Sequence, residues 1–350
     1  MIDFLIVGQG LAGTTLAYQL LKKGASISII DNPALPSSSR VAGGMFNPVT
    51  GKHLAKTWLA DELYPYLFNF YREIENLTGE IFLYEIPIYR PFKNEQQKAQ
   101  FEKLIPKHQI EKYCKIIPPQ TELQGKVLNP LGGVLTEQCG RLDVEKFLDA
   151  SKGYFDKLRS ISNEEFDYKS IEIQESTISY KGNDYQYIIF CEGFHAIRNP
   201  FFKNLPFNPV KGETLDIKLN TKLPPQIINQ GKWLMPLEGS TFKAGATYVW
   251  HELNDRNSEE GKQQIEDGIR QFLTVQFEVI DQKAGVRPAT KDRRPFAGLH
   301  PEFPSLGIFN GLGTKGVSLA PYLAANFADH LLDGKEINTE TTIDRLNALY

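Results

Sequence analysis

The strongest hydrophobic pattern opens the chain, where an apolar run meets a glycine-rich turn and then an amphipathic segment. The apolar run covers residues 3–7, and leucines at helical spacing after the turn predict a helix over residues 11–23. A second apolar run, residues 27–30, ends in Asp31. Strand, turn, helix, strand and acid in this order are typical of a βαβ unit that binds a dinucleotide.

The turn spaces its glycines at Gly8, Gly10 and Gly13, as close contact with a pyrophosphate requires. Gly8 permits the tight turn, Gly10 lets the backbone approach the phosphates, and Gly13 lets the helix pack against the sheet. Asp31 stands where a carboxylate bonds the adenosine ribose, and an acid there favours FAD or NAD over NADP.

In later segments, the spacing of apolar and polar residues predicts further helices and strands. Helical spacing predicts helices over residues 58–78, 94–110, 143–154, 258–272 and 317–332. Alternation and turn residues predict strands over residues 132–136, 187–191, 210–217, 232–236, 241–248 and 306–310, and a hairpin over 171–180 with a turn at 181–184. A short edge strand is predicted over residues 82–89, because Pro87 lacks an N–H donor.

A second glycine-rich turn, residues 311–316, joins the strand at 306–310 to the apolar helix at 317–332. Two such units suit a long cofactor that meets the protein at both ends, such as extended FAD. We therefore expect an α/β fold, α+β overall, in which a Rossmann-like FAD-binding domain with a parallel sheet carries an inserted antiparallel-sheet substrate domain. The FAD-binding domain is predicted to take residues 1–60, 130–210 and 282–350, and the substrate-binding domain residues 61–129 and 211–281.

The segment at residues 33–48 is rich in glycine and serine. Small residues let a flat ring or a diphosphate lie against the backbone, and serine hydroxyls with Arg40 can bond phosphate oxygens. A solvated loop is the alternative for this segment.

Composition bounds the partners and the kinds of site. A net charge of −3 over 350 residues gives no sign of nucleic-acid binding, for which a basic domain is expected. The first strand begins too early for a signal peptide and no apolar run is long enough to span a bilayer, so a cytoplasmic protein without a membrane partner is expected. Three scattered cysteines and six histidines without paired spacing predict neither disulfides nor a metal site.

Several segments, in order along the chain, resemble the D-amino-acid oxidase superfamily of flavoenzymes, and within it the glycine oxidase and sarcosine oxidase branch. They cover residues 8–13, 42–45, 209–213, 245–247, 285–292 and 311–321. The resemblance implies FAD as the cofactor. Monomeric sarcosine oxidase links its flavin to a cysteine near the position of Gly285, so the FAD is expected to be non-covalent here.

The resemblance also implies which residues contact each part of FAD. Those expected around the adenosine diphosphate half are Gly8, Gly10, Leu11, Ala12, Gly13, Asp31, Asn32, Ser38 and Ser39, with the Phe166 backbone at the adenine by rough alignment. Arg40 and Gly193 are also expected to bind the cofactor. Those expected around the isoalloxazine ring are Gly43, Gly44, Met45, Leu312, Gly313, Thr314, Lys315, Gly316 and Val317.

Arg287 matches the arginine that holds the substrate carboxylate in this family, a task that suits a planar guanidinium. A structural salt bridge is the alternative. Trp233 stands where glycine oxidase has a tyrosine that helps hold the carboxylate, and Thr314 stands where it has a second arginine. Only half of that carboxylate site is kept, so glycine itself is not indicated as the substrate.

Lys243 is a lone charge in the strand predicted over residues 241–248. By alignment it falls where sarcosine oxidases have the lysine credited with activating oxygen, and a cation beside the reduced ring would stabilise superoxide. A solvated lysine on an exposed sheet face is the alternative.

The resulting hypothesis is an FAD-dependent oxidase or dehydrogenase of a small-molecule amine or amino acid, with oxygen as the expected acceptor. In this family hydride leaves the carbon next to the nitrogen and an imine forms, without a side-chain base. One alternative is a tRNA-modifying oxidase acting on carboxymethylaminomethyl-uridine, which residues 44–48 and 285–287 also resemble. The other is a flavoprotein without catalytic activity.

The first prediction concerns the cofactor. Purified protein should be yellow, and acid precipitation should leave FAD in the supernatant, because no cysteine stands near Arg287 to bind the ring covalently. Absorbance and chromatography of the supernatant measure this. Yellow colour that stays with the pellet, or release of FMN or NAD, would contradict the prediction.

Overall fold

Two eight-stranded sheets form the framework of the computed structural model, which describes residues 2–173 and 177–349. In the first half of the chain the strands are β1 (Ile2–Val7), β2 (Ile27–Asp31), β3 (Met45–Phe46), β4 (Val49–Thr50), β5 (Ala55–Lys56), β6 (Leu83–Glu85), β7 (Ile88–Pro91), β8 (Cys114–Ile117), β9 (Gly133–Thr136), β10 (Gly140–Leu142), β11 (Ile161–Asn163) and β12 (Ile171–Ile173). The later strands are β13 (Ile178–Tyr180), β14 (Asn183–Phe190), β15 (Val210–Leu219), β16 (Ile227–Gln230), β17 (Lys232–Pro236), β18 (Thr241–Gly245), β19 (Phe277–Arg287), β20 (Phe296–Leu299) and β21 (Leu306–Asn310). The helices are α1 (Leu11–Lys22), α2 (Ser38–Val41), α3 (Ala60–Thr78), α4 (Glu95–Lys107), α5 (Val144–Lys157), α6 (Glu259–Arg270) and α7 (Gly316–Asp333), with 3-10 turns at Thr121–Leu123, Tyr168–Ser170, Gly193–Arg198 and Ile343–Leu349.

The first sheet is parallel at its centre, in the order β11, β2, β1, β14 and β21, and β20 continues it antiparallel to β21. The start of β14 pairs instead with antiparallel β13, which pairs with β12. Val7 of β1 lies beside Ile30 on one side and Phe190 on the other. The three strands therefore end together, and ligands of open parallel sheets bind at this carboxyl edge.

Residues of β1 alternate between two hydrophobic cores. Phe4 and Ile6 belong to the core that includes the buried side chains of α1, α3, α5 and α7. Leu5 and Val7 pack with Phe190 in the core on the other face. Helices α1 and α7 lie side by side in the first core. The expected Rossmann-like arrangement is confirmed.

The second sheet runs in the order β19, β15, β18, β17, β16, β7, β9 and β8, and it is antiparallel except between β7 and β16. Helix α6 covers one face through Ile265 and Ile269, which are fully buried. The longest strand, β19, was not predicted from the sequence. Its register with β15 shifts by one residue at Ile280, and such a bulge interrupts the alternation that identifies a strand.

Pro87 divides the strand expected over residues 82–89 into β6 and β7, which belong to different sheets. The expected edge position is wrong for β7, which lies between β16 and β9. The proline lies between the two strands, where its missing N–H costs no sheet hydrogen bond. Its carbonyl oxygen accepts the Ile227 N–H at 2.9 Å.

The hairpin expected over residues 171–180 has its arms in β12 and β13, and residues 174–176 lie outside the described chain. The turn at Lys181 and Gly182 joins β13 to β14. Both turn residues have positive φ, 49° and 77°, as a two-residue hairpin of this kind requires.

The predicted domain boundaries stay a prediction, and the sheets divide the chain somewhat differently. β9 lies in the second sheet, although residues 130–210 were expected in the FAD-binding domain. Strand β19 extends the second sheet to Arg287, although residues 282–350 were expected in the FAD-binding domain. α3 packs against α7 in the first core, although residues 61–129 were expected in the substrate domain.

Within residues 2–173 and 177–349, no helix combines the length and the apolar character needed to cross a membrane. In the same residues, no group of three or more histidine, cysteine or acidic side chains is arranged to hold a metal ion. Cys114, Cys139 and Cys191 are buried free thiols, and burial raises the pKa of each.

The packing of α1 on β1 can be tested at Gly13. A Cβ there would lie 1.9 Å from the Gly8 carbonyl oxygen, so Gly13→Ala should lower the free energy of unfolding by about 1 to 3 kcal/mol and reduce the bound flavin. Gly153→Ala is the matched control, because open space surrounds Gly153 within α5. That variant should be more stable by about 0.5 to 1 kcal/mol. Urea unfolding measures both, and equal stabilities would contradict the close contact.

Candidate active site

A cavity of about 390 Å³ lies where the carboxyl edge of the first sheet meets β15, β17 and β19 of the second. It brings together most of the residues that the sequence singled out. These are Gly8, Gly10, Leu11, Ala12, Asp31, Asn32, Ser38, Ser39, Arg40, Gly43, Gly44, Met45, Phe166, Gly193, Trp233, Arg287, Leu312, Gly313, Thr314, Gly316 and Val317.

The turn after β1 is folded tightly against the neighbouring strand end. Gly8 has a φ of +103°, and a Cβ there would lie 2.6 Å from the Cys191 carbonyl oxygen. The Gln9 N–H donates to Asp31 Oδ1 at 2.8 Å. Asp31 therefore closes the turn and also lines the cavity, where a carboxylate can accept further hydrogen bonds from ribose hydroxyls.

Two helices direct their N-termini at the cavity. α1 begins at Leu11 and α7 at Gly316, and a Cβ on Gly316 would lie 3.1 Å from the Leu11 side chain. The Leu11 N–H donates to Ser39 Oγ at 3.2 Å, which holds the serine-rich segment against α1. Both helix ends place partial positive charge and N–H groups on one wall, an arrangement that favours a diphosphate.

The wall at residues 42–45 is flat and tightly packed. Gly44 has a φ of +74°, and a Cβ there would lie 1.9 Å from the Leu142 carbonyl oxygen. Cβ atoms on Gly43 and Gly245 would each lie 2.7 Å from the Trp233 ring. The indole thus lies between two glycine backbones, and it forms a rigid side of the cavity.

Arg287 reaches the cavity from the end of β19 and lies flat on β15. A Cβ on Gly212 would lie 2.0 to 2.2 Å from the guanidinium atoms, so the glycine makes room for the group. Its Nη1 donates to the Thr247 carbonyl oxygen at 3.2 Å, and its Cζ lies 4.7 Å from the centre of the Tyr248 ring. No acid of the described chain forms an ion pair with Arg287, and burial lowers the pKa of its guanidinium.

Thr214 lines the cavity two residues beyond Gly212, and sequence reasoning missed it, because one threonine in a strand carries no signal of its own. Its Oγ1 is buried and has no hydrogen-bond partner within the described residues. A buried hydroxyl without a hydrogen bond destabilises the folded protein, so we expect a ligand in the cavity to form a hydrogen bond with it. Gly212 and Tyr248 were missed for a similar reason, since only the folded sheet brings them to Arg287.

Three expected residues do not line the cavity. Gly13 packs inside α1 against the turn. Lys315 Nζ donates to Thr57 Oγ1 at 3.1 Å, and burial together with Arg294 and Arg293 lowers the pKa of Lys315. Lys243 Nζ pairs with Asp216 of the adjacent strand at 2.6 Å. The cofactor role of Lys315 and the oxygen role of Lys243 stay predictions.

Arg40 lines the cavity, but its guanidinium pairs with Asp149 at 2.8 Å. The ion pair partly neutralises the charge that Arg40 would offer to a diphosphate. Phe166 also lines the cavity and stacks on Tyr180, with ring centres 4.5 Å apart and planes at 9°. That stack gives the far end of the cavity a fixed apolar surface, as an adenine site needs.

These residues fit an extended FAD. One end offers Asp31 for a ribose and two helix N-termini for the diphosphate. The other end offers the backbone of residues 43–45 and 312–314 around a flat space closed by Trp233. The unpaired hydroxyl of Thr214 lies at this second end, where a substrate would meet the ring. The guanidinium of Arg287, which has no acid partner in the described residues, lies there too.

Among the described residues, four acids line the cavity, namely Asp31, Glu164, Glu165 and Glu192, and the sequence did not single out Glu192. It follows β14, its Oε2 accepts from Asn199 Nδ2 at 2.8 Å, and the Tyr168 hydroxyl donates to its other oxygen. Burial raises the pKa of Glu192 from 4.5 to about 7, and these hydrogen bonds only partly oppose the rise. The carboxyl therefore titrates near neutral pH.

Glu192 should make stability depend on pH. The folded protein binds this proton more tightly than the unfolded chain, so the free energy of unfolding should fall as pH rises from about 4.5 through about 7. Glu192→Gln stays neutral and should remove this slope, gaining at most about 3 kcal/mol at pH 8. Urea unfolding across this range measures the effect, with the exposed Glu165→Gln as control. A slope that persists in Glu192→Gln would contradict the assignment.

Comparison with known proteins identifies the family. The chain matches the DAO family, described as FAD dependent oxidoreductase, over residues 3–330. It is 21% identical over 396 residues to MnmC of Leptospira borgpetersenii serovar Hardjo-bovis (strain JB197), a bifunctional protein of tRNA 5-methylaminomethyl-2-thiouridine biosynthesis, covering 97% of this chain and 58% of that protein. The chain therefore spans a little over half the length of this curated relative.

Glycine oxidases are also similar to the chain. The glycine oxidase of Bacillus subtilis (strain 168) is 31% identical over 151 residues, which is 40% of this chain and 40% of that protein. The crystal structure of glycine oxidase from Bacillus cereus ATCC 14579 superposes with a TM-score of 0.78 at 20% identity and covers 96% of both chains. That likeness confirms the expected fold. The chain belongs to the DAO family, and it is an FAD-dependent oxidoreductase.

Proposed function

We propose that this enzyme oxidises the C–N bond of an amine that carries a carboxylate, either an amino acid or an N-substituted glycine. The observation that carries the proposal is Arg287. Its guanidinium lines the cavity beside the flat space and is paired with no acid of the described chain. A planar fork of donors is suited to a carboxylate, which it can bind with two parallel hydrogen bonds.

The electrostatics around Arg287 favour an anionic substrate. Lys232, at the start of β17, is also half-buried, and its Nζ donates to the Ala246 carbonyl oxygen at 2.7 Å. Burial, and then the charge of Arg287, lower the pKa of Lys232. The repulsion between these two desolvated cations decreases when an anion binds to Arg287.

The chain's own groups orient the substrate. Arg287 holds the carboxylate, and the Thr214 hydroxyl can accept or donate a hydrogen bond at the amine. The Trp233 ring limits the space beside them and excludes water. Residues 8–13, 43–45 and 312–317 would hold FAD, which would supply the hydride acceptor. The carbon next to the nitrogen loses hydride, the nitrogen lone pair forms the second C–N bond, and the product is a protonated imine.

A second candidate keeps this chemistry and changes the size of the substrate. The relative MnmC covers 97% of this chain and is named for tRNA 5-methylaminomethyl-2-thiouridine biosynthesis. A carboxymethylaminomethyl group on a uridine is also an N-substituted glycine, so Arg287 would bind it in the same way. The net charge of −3 weighs against a broad contact with RNA phosphates.

Arg287 and Gly212 provide the test. Arg287→Lys keeps the charge but loses the fork, so the Kd of a carboxylate substrate should rise about 10- to 100-fold while flavin content stays normal. Gly212→Ala should raise Kd similarly, because its Cβ displaces the guanidinium. Anaerobic flavin reduction by a panel of amino acids and N-alkylglycines measures Kd.

Arg90→Lys is the matched control. Arg90 lies outside the cavity and donates to the Gly51 carbonyl oxygen at 2.8 Å, so its replacement should leave Kd unchanged. Loss of flavin or aggregation in Arg287→Lys would show a structural role instead. Wild-type protein whose flavin no amine reduces would favour the flavoprotein without catalytic activity.

A further inference from the structure

We propose that Tyr248 and Trp250 form a stacking platform for a planar ring attached to the nitrogen of the amine. The inference rests on the proposed function and names the substrate class more closely. A ring of this kind is a nucleobase or an aryl group, and both present the same flat apolar face.

The backbone aims the two aromatic side chains at one face. Val249 pairs with Lys211 through two backbone hydrogen bonds, 2.9 and 3.0 Å long, so this segment is extended beside the start of β15. Side chains two residues apart in an extended segment point the same way. Tyr248 and Trp250 therefore project together, on the side where Gly212 and Arg287 lie.

The two rings make a continuous surface that starts inside the cavity. Their centres are 6.2 Å apart with planes at 26°, and Tyr248 lines the cavity under the Arg287 guanidinium. The exposed fractions are 50% for Tyr248 and 58% for Trp250. A tryptophan this exposed is unusual, and a pair of aromatic residues continuous with a binding cavity indicates a ligand that covers them.

Buried charges fix the segment that carries the platform. The Glu213 side chain is fully buried and accepts hydrogen bonds from Ser258 Oγ at 2.6 Å and from Gln282 Nε2 at 2.7 Å. The Glu213 backbone N–H donates to Thr247 Oγ1 at 2.8 Å. Lys211, 1% exposed, donates to Asn254 Oδ1 at 3.1 Å. The segment is thus held on both sides of Trp250, and the platform is formed before a ligand arrives.

The position of the platform selects the kind of substrate. We assign the group on the amine nitrogen to the two rings, because Tyr248 lies against the guanidinium that would hold the carboxylate and Trp250 continues its surface beyond the cavity lining. A methyl group would leave the rings uncovered, whereas a planar ring would stack on them. An N-substituted glycine with a ring near its nitrogen satisfies Arg287 and the platform together.

Two substrates test the stacking platform and the carboxylate site separately. Anaerobic flavin reduction should give a Kd for N-benzylglycine at least 10-fold below that for N-methylglycine. Trp250→Ala should raise the Kd of N-benzylglycine about 10-fold and leave that of N-methylglycine within twofold. Trp250→Phe should keep most of the affinity, and Leu128→Ala, at another half-exposed apolar side chain, should change neither value.

A further arm distinguishes the source of the ring. Free 5-carboxymethylaminomethyluridine and a short RNA stem-loop containing it are compared with N-benzylglycine in wild type and Trp250→Ala. If the nucleoside and the stem-loop have similar Kd values, the substrate is a small molecule. If the Kd of the stem-loop is much lower, the substrate is RNA.

The outcomes separate the two proposals. Equal Kd values for N-benzylglycine and N-methylglycine, or equal effects of Trp250→Ala on both, would overturn the platform and leave the proposed function standing. Failure of every carboxylate amine to reduce the wild-type flavin would overturn the proposed function, and the platform with it.

Discussion

The close approach of backbone atoms at the β1–α1 turn is the constraint on which the whole cavity depends. Gly13 allows α1 to lie on the turn, and Gly8 allows the turn to lie on the end of β14. Any side chain at either position would push the N-terminus of α1 away from the sheet edge. Because α7 packs on α1 and begins beside Leu11, the second helix N-terminus would move with the first. The absence of side chains at Gly8 and Gly13 therefore positions both helix N-termini that face the cavity.

Charge is distributed along the cavity in a way that suits an anion at each end. The helix N-termini supply partial positive charge near the diphosphate site, and Arg287 supplies a full charge near the substrate site. Two acids of the cavity wall differ in their surroundings. Asp31 accepts a hydrogen bond from the Gln9 N–H, and burial raises the pKa of Glu192 to about 7.

The sequence predicted the parts of this site that are built from residues close together along the chain. The turn at residues 8–13, the acid at the end of β2 and the second glycine turn each have a local signature, and the structure places them in one cavity. The contacts around Arg287 depend on strand pairing instead. Gly212, Thr214 and Tyr248 meet only because β15 lies between β19 and β18, and a bulge at Ile280 hides β19 itself from pattern analysis. Local periodicity carries no information about such pairing.

The buried pair of Lys211 and Glu213 shows what this sheet is built to hold. Their Nζ and Oε1 atoms are 3.7 Å apart, longer than a good hydrogen bond, so the pair itself adds little to stability. Each charge has further partners: Lys211 contacts Asn254 and Glu252 of the segment after β18, and Glu213 accepts from Ser258 and from Gln282 of β19. Replacing both Lys211 and Glu213 with apolar residues would keep the sheet and the backbone bonds of Lys211 to Val249, but it would release the side chains of Asn254 and Ser258. The backbone of the same two residues bonds Val249 and Thr247, and Thr247 and Tyr248 contact the guanidinium of Arg287. Strand β15 therefore fixes the substrate site with its backbone and residues 254–258 with its charges.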